Sequence, residues 1–179
     1  MNYPNYTYQL KPYHKRVLQE IKSLNSNNLY YYVIEQSYRK APLTLPELKK
    51  SIKRSVKNYV KDLTGYQYRK DVEDSLVQYY CFFETSKEFC LSQSSHNIFD
   101  WDYYTGFHFH LFISSSSSQV YFPSYTHYLY NELTGVPTKK SSLLKYDYQR
   151  LAHLTDDFIL YHTKQWKDNY EPQLILKNV

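Results

Sequence analysis

The sequence predicts an α/β (α+β) fold in which a central, mostly antiparallel sheet is flanked by helices. Three observations predict it. Residues 29–38, 75–84 and 106–113 are short runs dense in aromatic and aliphatic residues and bounded by polar stretches, as strands are. Between and around them lie segments whose apolar residues recur every three or four positions, as on one face of a helix. A chain of 179 residues with 42% hydrophobic content can fill one domain core but not two large ones. Residues 1–28 read as an N-terminal leader with a short helix, 29–170 as the main domain and 171–179 as a C-terminal tail.

In chain order, Pro12 suits the first turn of a short helix over 13–24, where Val17, Ile21 and Leu24 share a face. Residues 29–38 form the first core strand. Thr44 then caps a helix, with Pro46 at an early position and Glu47 at the capping-box spacing. Leu48, Ile52, Val56 and Tyr59 or Val60 make its apolar stripe, and Lys49, Lys50, Lys53, Arg54, Lys57 and Lys61 cover the rest. That basic surface suits solvent and DNA phosphates equally. Residues 65–74 read as a polar connection and 75–84 as a second strand, in which Tyr80, Phe82 and Glu84 share one face.

Residues 85–105 lack a helix or strand pattern and read as a long, exposed hairpin excursion. The strand that follows carries His108 and His110 on one face, while Phe107, Phe109 and Leu111 point to the other, into the core. After the polar break at 114–118, residues 123–133 suit a helix closed by Gly135, with Tyr125, Leu129 and Leu133 on one side, and Lys139 and Lys140 lie in the turn beyond it. Residues 144–153 read as a strand. The last helix, 155–167, has Thr155 as its cap, acids in its first turn and lysines in its last; Leu154, Phe158 and Tyr161 share a stripe, with Lys164 one turn further.

Lys and Arg outnumber Asp and Glu by 22 to 17, a formal charge of +5 that fits a polyanionic partner. The 23 tyrosines include half-buried strand residues and potential stacking platforms for unpaired bases. Cys81 and Cys90 are too few for a disulfide scaffold and form no Cys-x-x-Cys pair, which argues against structural zinc. No apolar run approaches 18 residues and no signal-like segment opens the chain, so a reducing, non-secreted compartment is expected, cytoplasmic in a bacterial host or nuclear in a eukaryotic one.

Two imidazoles two residues apart on a strand make half of a metal site. If the 75–84 strand pairs with the histidine strand, Glu84 stands beside His108 and His110 and completes three ligands. His96, Asp100 and Asp102 are alternative sources of the third ligand. The order is then a strand ending in Glu, a strand carrying His-x-His, and a helix carrying Tyr161-x-x-Lys164.

In that order the sequence resembles an HUH endonuclease of the rolling-circle replication initiator (Rep) type, over about residues 29–167. The matching segments are His108 to Phe112, Tyr161 to Lys164, and Phe82 to Glu84. The resemblance implies a site-specific single-stranded DNA nickase and ligase. Glu84, His108 and His110 would hold Mn²⁺ or Mg²⁺, Tyr161 would attack the scissile phosphate to leave a 5′-phosphotyrosine and a free 3′-OH, and Lys164 would steady the phosphate. Tyr8, also followed by Lys at the third position, is the rival nucleophile of a permuted, relaxase-like arrangement.

Lys53, Arg54, Lys57, Lys139 and Lys140 are candidate DNA contacts, the expected partner being a single-stranded or hairpin DNA origin. The chain has no Gly-x-x-x-x-Gly-Lys-Ser/Thr loop, so helicase and polymerase functions are expected from separate proteins. A single-tyrosine transposase and a catalytically silent nucleic-acid-binding domain share this pattern.

Overall fold

The computed structural model describes residues 12–24, 28–35, 43–65, 69–84, 107–134, 145–151, 155–162 and 174–179. Of Tyr13, His14, Glu35, Thr134, 145–149 and 160–162 it describes the backbone. The elements are α1 (Pro12–Lys22), β1 (Leu29–Glu35), α2 (Leu45–Thr64), α3 (Lys70–Leu76), β2 (Gln78–Glu84), β3 (His108–Ser114), α4 (Phe122–Thr134), β4 (Lys145–Arg150), α5 (Asp156–His162) and β5 (Ile175–Lys177).

The strands form one five-stranded sheet in the order β4-β1-β3-β2-β5, and every pairing in it is antiparallel. The expected α+β architecture is therefore present, with β3 at its centre. A central strand is hydrogen-bonded on both sides, and the residues of β3 after His108 are all buried.

Alternation divides the sheet into two faces. Tyr30 and Tyr32 of β1 point to the face covered by α2 and α4: Tyr30 packs on Phe122 at 5.5 Å between centroids, and Tyr32 meets Tyr125 edge-on at 5.9 Å. The buried tyrosine hydroxyls of Tyr32 and Tyr125 in this layer find partners, as most buried polar groups do. Tyr32 donates to the Phe122 carbonyl at 2.9 Å, and the hydroxyls of Ser55 and Tyr125 lie 2.7 Å apart. Phe109, Leu111 and Ile113 fill the same side from β3 and are fully buried. Replacing Phe109 by alanine is expected to destabilise the fold by about 3–5 kcal/mol, measured by chemical denaturation.

The opposite face carries the histidines. Its far end is closed by α1 and α5: Phe158 of α5 packs edge-on against Tyr31 at 5.1 Å and Phe112 at 6.1 Å, and Lys177 of β5 pairs with Glu20 of α1. Lys22 at the end of α1 pairs with Asp156 at the start of α5.

Local signals read from the sequence account for the helix ends. The Glu47 carboxylate accepts from both the backbone N–H and the hydroxyl of Thr44 at 2.8 Å, and α2 gives way to Gly65 at φ 64°, a left-handed conformation that glycine adopts without strain. At α5 the Thr155 hydroxyl accepts from the Phe158 N–H at 3.2 Å.

Three expectations are corrected. Within 65–74, expected as a connection, Lys70 begins α3, which runs to Leu76 and so delays β2 to Gln78; Lys70 bridges Glu73 and Asp74 at 2.9 and 2.6 Å, side-chain pairs one turn away that support a short helix. The segment expected as a C-terminal tail contributes β5, with Cys81 opposite Leu176. A boundary at residue 28 does not separate a leader from the core either, because Val17, Leu18, Ile21 and Leu24 belong to the same hydrophobic cluster as the sheet. Gly135 and residues 163–167 lie outside the described residues, and no helix among those described is long and apolar enough to cross a membrane.

Candidate metal centre

Register builds the site. In the β2–β3 ladder Glu84 lies opposite His108 and Phe82 opposite His110, so these four side chains share one face. Glu84 ends its strand and His108 begins the next, which places both at one end of the sheet. Glu84 Oε2 sits 2.9 Å from His108 Nε2 and 3.0 Å from His110 Nε2. One ligand atom from each of the three residues falls within 4.8 Å of the others.

Burial grades across the group. Glu84 and His110 are buried, whereas the His108 side chain is 27% exposed, so the cluster opens to solvent on the His108 side. Burial alone would raise the Glu84 carboxyl, but hydrogen bonds and charge from His108 and His110 outweigh it and hold the group down at about 2. Glu84 is therefore an anion at neutral pH. Its second oxygen, Oε1, is buried with no hydrogen-bond partner among the described residues.

A buried carboxylate oxygen with no hydrogen-bond partner among the described residues, beside two imidazole nitrogens, is a donor set that could take a cation. Mixed nitrogen and oxygen donors of this kind suit a metal ion. The three residues together could hold a metal ion.

Two features of the site escaped sequence reading. Phe82 stacks on the His110 ring at 4.8 Å with 20° between planes, and the Tyr31 hydroxyl lies 2.5 Å from His110 Nδ1. Parity was the available signal: once β1 is paired with β3, Tyr31 falls opposite Phe112 on the histidine face, unlike its neighbours Tyr30 and Tyr32. On β1, Glu35 takes the register position opposite His108, across the strand from Glu84.

Tyr161 lies in the last turn of α5, three residues beyond Phe158, whose ring packs on Tyr31 and Phe112 of the histidine face. The Tyr161 side chain, together with Lys164, Tyr8, His96, Asp100, Asp102, Lys139 and Lys140, lies outside the described residues. Lys53, Arg54 and Lys57 come together with Lys49 and Lys50 along α2, where they line a groove of about 760 Å³ whose other side includes Lys70 and Lys177. Glu73 and Asp74 also line it and pair with Lys70. Lys70 and Lys177 were not among the expected contacts; they reach the groove through the packing of α3 and β5.

No family model matches the sequence, and no curated protein or solved structure matches it.

Proposed function

We propose that this protein is a metal-dependent endonuclease that nicks and rejoins single-stranded DNA through a tyrosine-linked intermediate, in the manner of a rolling-circle replication initiator. The observation that carries the reading is the Glu84, His108 and His110 group at one end of the sheet, with a buried anionic oxygen that has no hydrogen-bond partner among the described residues. A bound divalent cation there would supply Lewis-acid polarisation of the scissile phosphate.

The chain's own residues would do the rest. The Tyr161 oxygen attacks phosphorus as its P–O bond forms, the bond to the 3′-oxygen breaks, and the proton lost by the phenol is balanced by the one gained at the departing 3′-OH. Lys164 follows Tyr161 by three residues in the sequence and holds a phosphate oxygen during the transfer. Because the phosphodiester energy is kept in the phosphotyrosine link, the reverse reaction rejoins the strand, while the free 3′-OH serves a separate polymerase behind a separate helicase.

Lys53, Arg54 and Lys57 are read as contacts to the phosphates of the DNA origin, supported by their place in the basic groove. Their joint replacement by alanine is expected to weaken single-stranded DNA binding and to lower the slope of log affinity against log salt by about 2, which fluorescence anisotropy across a salt series checks.

The test of the activity uses a random-sequence single-stranded DNA library incubated with the protein and Mn²⁺. The reading expects shortened strands and a covalent protein–DNA species on a denaturing gel, both abolished by EDTA. DNA retained without any cleavage or covalent species would leave a binding domain and remove the enzyme.

A further inference from the structure

The Tyr31 hydroxyl lies 2.5 Å from His110 Nδ1, on the side of the ring away from the Nε2 that faces Glu84. Tyr31 is buried, and its ring is held by Phe112 at 4.9 Å and Phe158 at 5.1 Å. With Phe82 stacked on the imidazole, His110 is fixed by its face and by its far nitrogen together.

A neutral imidazole has one nitrogen that donates and one that accepts. Glu84 is an acceptor, so in the neutral imidazole of His110 with no ion bound the proton belongs on Nε2, and Nδ1 accepts from the tyrosine hydroxyl. A cation bound at Nε2 requires the lone pair there. The proton then belongs on Nδ1, which must find an acceptor. A hydroxyl can serve in both roles, whereas a carbonyl or carboxylate in its place could only accept. Outer partners of this kind fix ring orientation and tautomer in metal sites.

We propose that Tyr31 is a positioning residue of the metal centre, whose hydroxyl keeps His110 aimed through Nδ1 and reverses the direction of that hydrogen bond when a divalent cation takes Nε2. The inference rests on the reading of Glu84, His108 and His110 as metal ligands, and it adds a fourth residue, from a third strand, that tunes their affinity.

The experiment compares the full chain with its Tyr31→Phe and Phe158→Leu variants. Tyr31→Phe removes the hydroxyl and keeps the ring; Phe158→Leu loosens the same aromatic cluster and keeps the hydroxyl. Manganese binding is followed by electron paramagnetic resonance titration, and the His110 tautomer by ¹⁵N resonances of labelled histidine without metal and with Mg²⁺. The expected result is Mn²⁺ affinity weakened about 10-fold or more in Tyr31→Phe and changed less than about twofold in Phe158→Leu. In the wild type, Mg²⁺ should move the His110 proton from Nε2 to Nδ1.

Tyr31→Phe binding Mn²⁺ as tightly as the wild type would overturn the role of Tyr31 and leave the metal centre standing. Equal loss in the two variants would assign the effect to packing and overturn it too. Wild-type protein that binds no Mn²⁺ would remove the metal centre and the inference with it.

Discussion

Replacing Glu84 with glutamine is expected to weaken Mn²⁺ binding by about 100-fold or more, as read by isothermal titration. Outer-shell partners of metal ligands typically cost 10- to 100-fold when removed, and a direct anionic ligand should reach at least the upper end of that range. The neutral amide keeps the shape of the side chain but lacks the negative charge shared by Oε2, which faces both imidazoles, and Oε1, which has no hydrogen-bond partner among the described residues. His108 and His110 alone would leave a two-nitrogen site with little claim on a hard cation.

The same substitution carries a prediction about acid stability. The Glu84 carboxyl is held at about 2 against an ordinary value of 4.5. A group lowered by folding stabilises the protein above its unfolded value and loses that contribution as pH falls through its folded one. For Glu84 the window runs from about 4.5 down to about 2, and the contribution is on the order of 3 kcal/mol. Denaturant titrations of the metal-free protein should therefore lose stability across that window, and Glu84→Gln should flatten the loss.

Replacing Tyr161 with phenylalanine is expected to abolish the covalent protein–DNA species and to reduce strand cleavage by about 10³-fold or more, the scale on which loss of a nucleophile acts. The phenyl ring retains the apolar bulk of the side chain, so α5 should keep its place through Phe158. Mn²⁺ affinity should not change, because the three proposed ligands come from β2 and β3. The two variants thus separate the proposed functions of the site: Glu84→Gln loses the ion and hence the chemistry, whereas Tyr161→Phe keeps the ion and loses the link to DNA.

Much of this arrangement is legible in the residues. Alternation on 107–111 assigns both histidines to one face and the phenylalanines to the other, and buried Phe107 and Phe109 bear that out. Glu84 closes an apolar run with the parity needed to meet His108 once the strands pair, and the ladder pairs them although 23 residues intervene. The α2 stripe and its Thr44–Glu47 cap follow from spacing alone.

What escaped depends on long-range register or on elements too short to show a period. Tyr30, Tyr31 and Tyr32 are chemically identical in sequence; only pairing with β3 sends Tyr31 to the histidines and Tyr32 to the Phe122 carbonyl. Three residues, Ile175 to Lys177, cannot display alternation strongly enough to distinguish an edge strand from a tail. The seven residues of α3 hide among charges, since its stability comes from Lys70 bridging two acids and from packing that leaves Glu73 buried.

The proposed function stands most directly on the identity of the residue that becomes bonded to DNA. After reaction with single-stranded DNA and Mn²⁺, the covalent species can be digested with nuclease and trypsin and its peptides sequenced by mass spectrometry. The account predicts a nucleotide phosphate on the oxygen of Tyr161, in a reaction that needs His108 and His110. A nucleotide carried by Tyr8 or any other residue, or strands cut to free 5′-phosphates with no linked peptide, would contradict it.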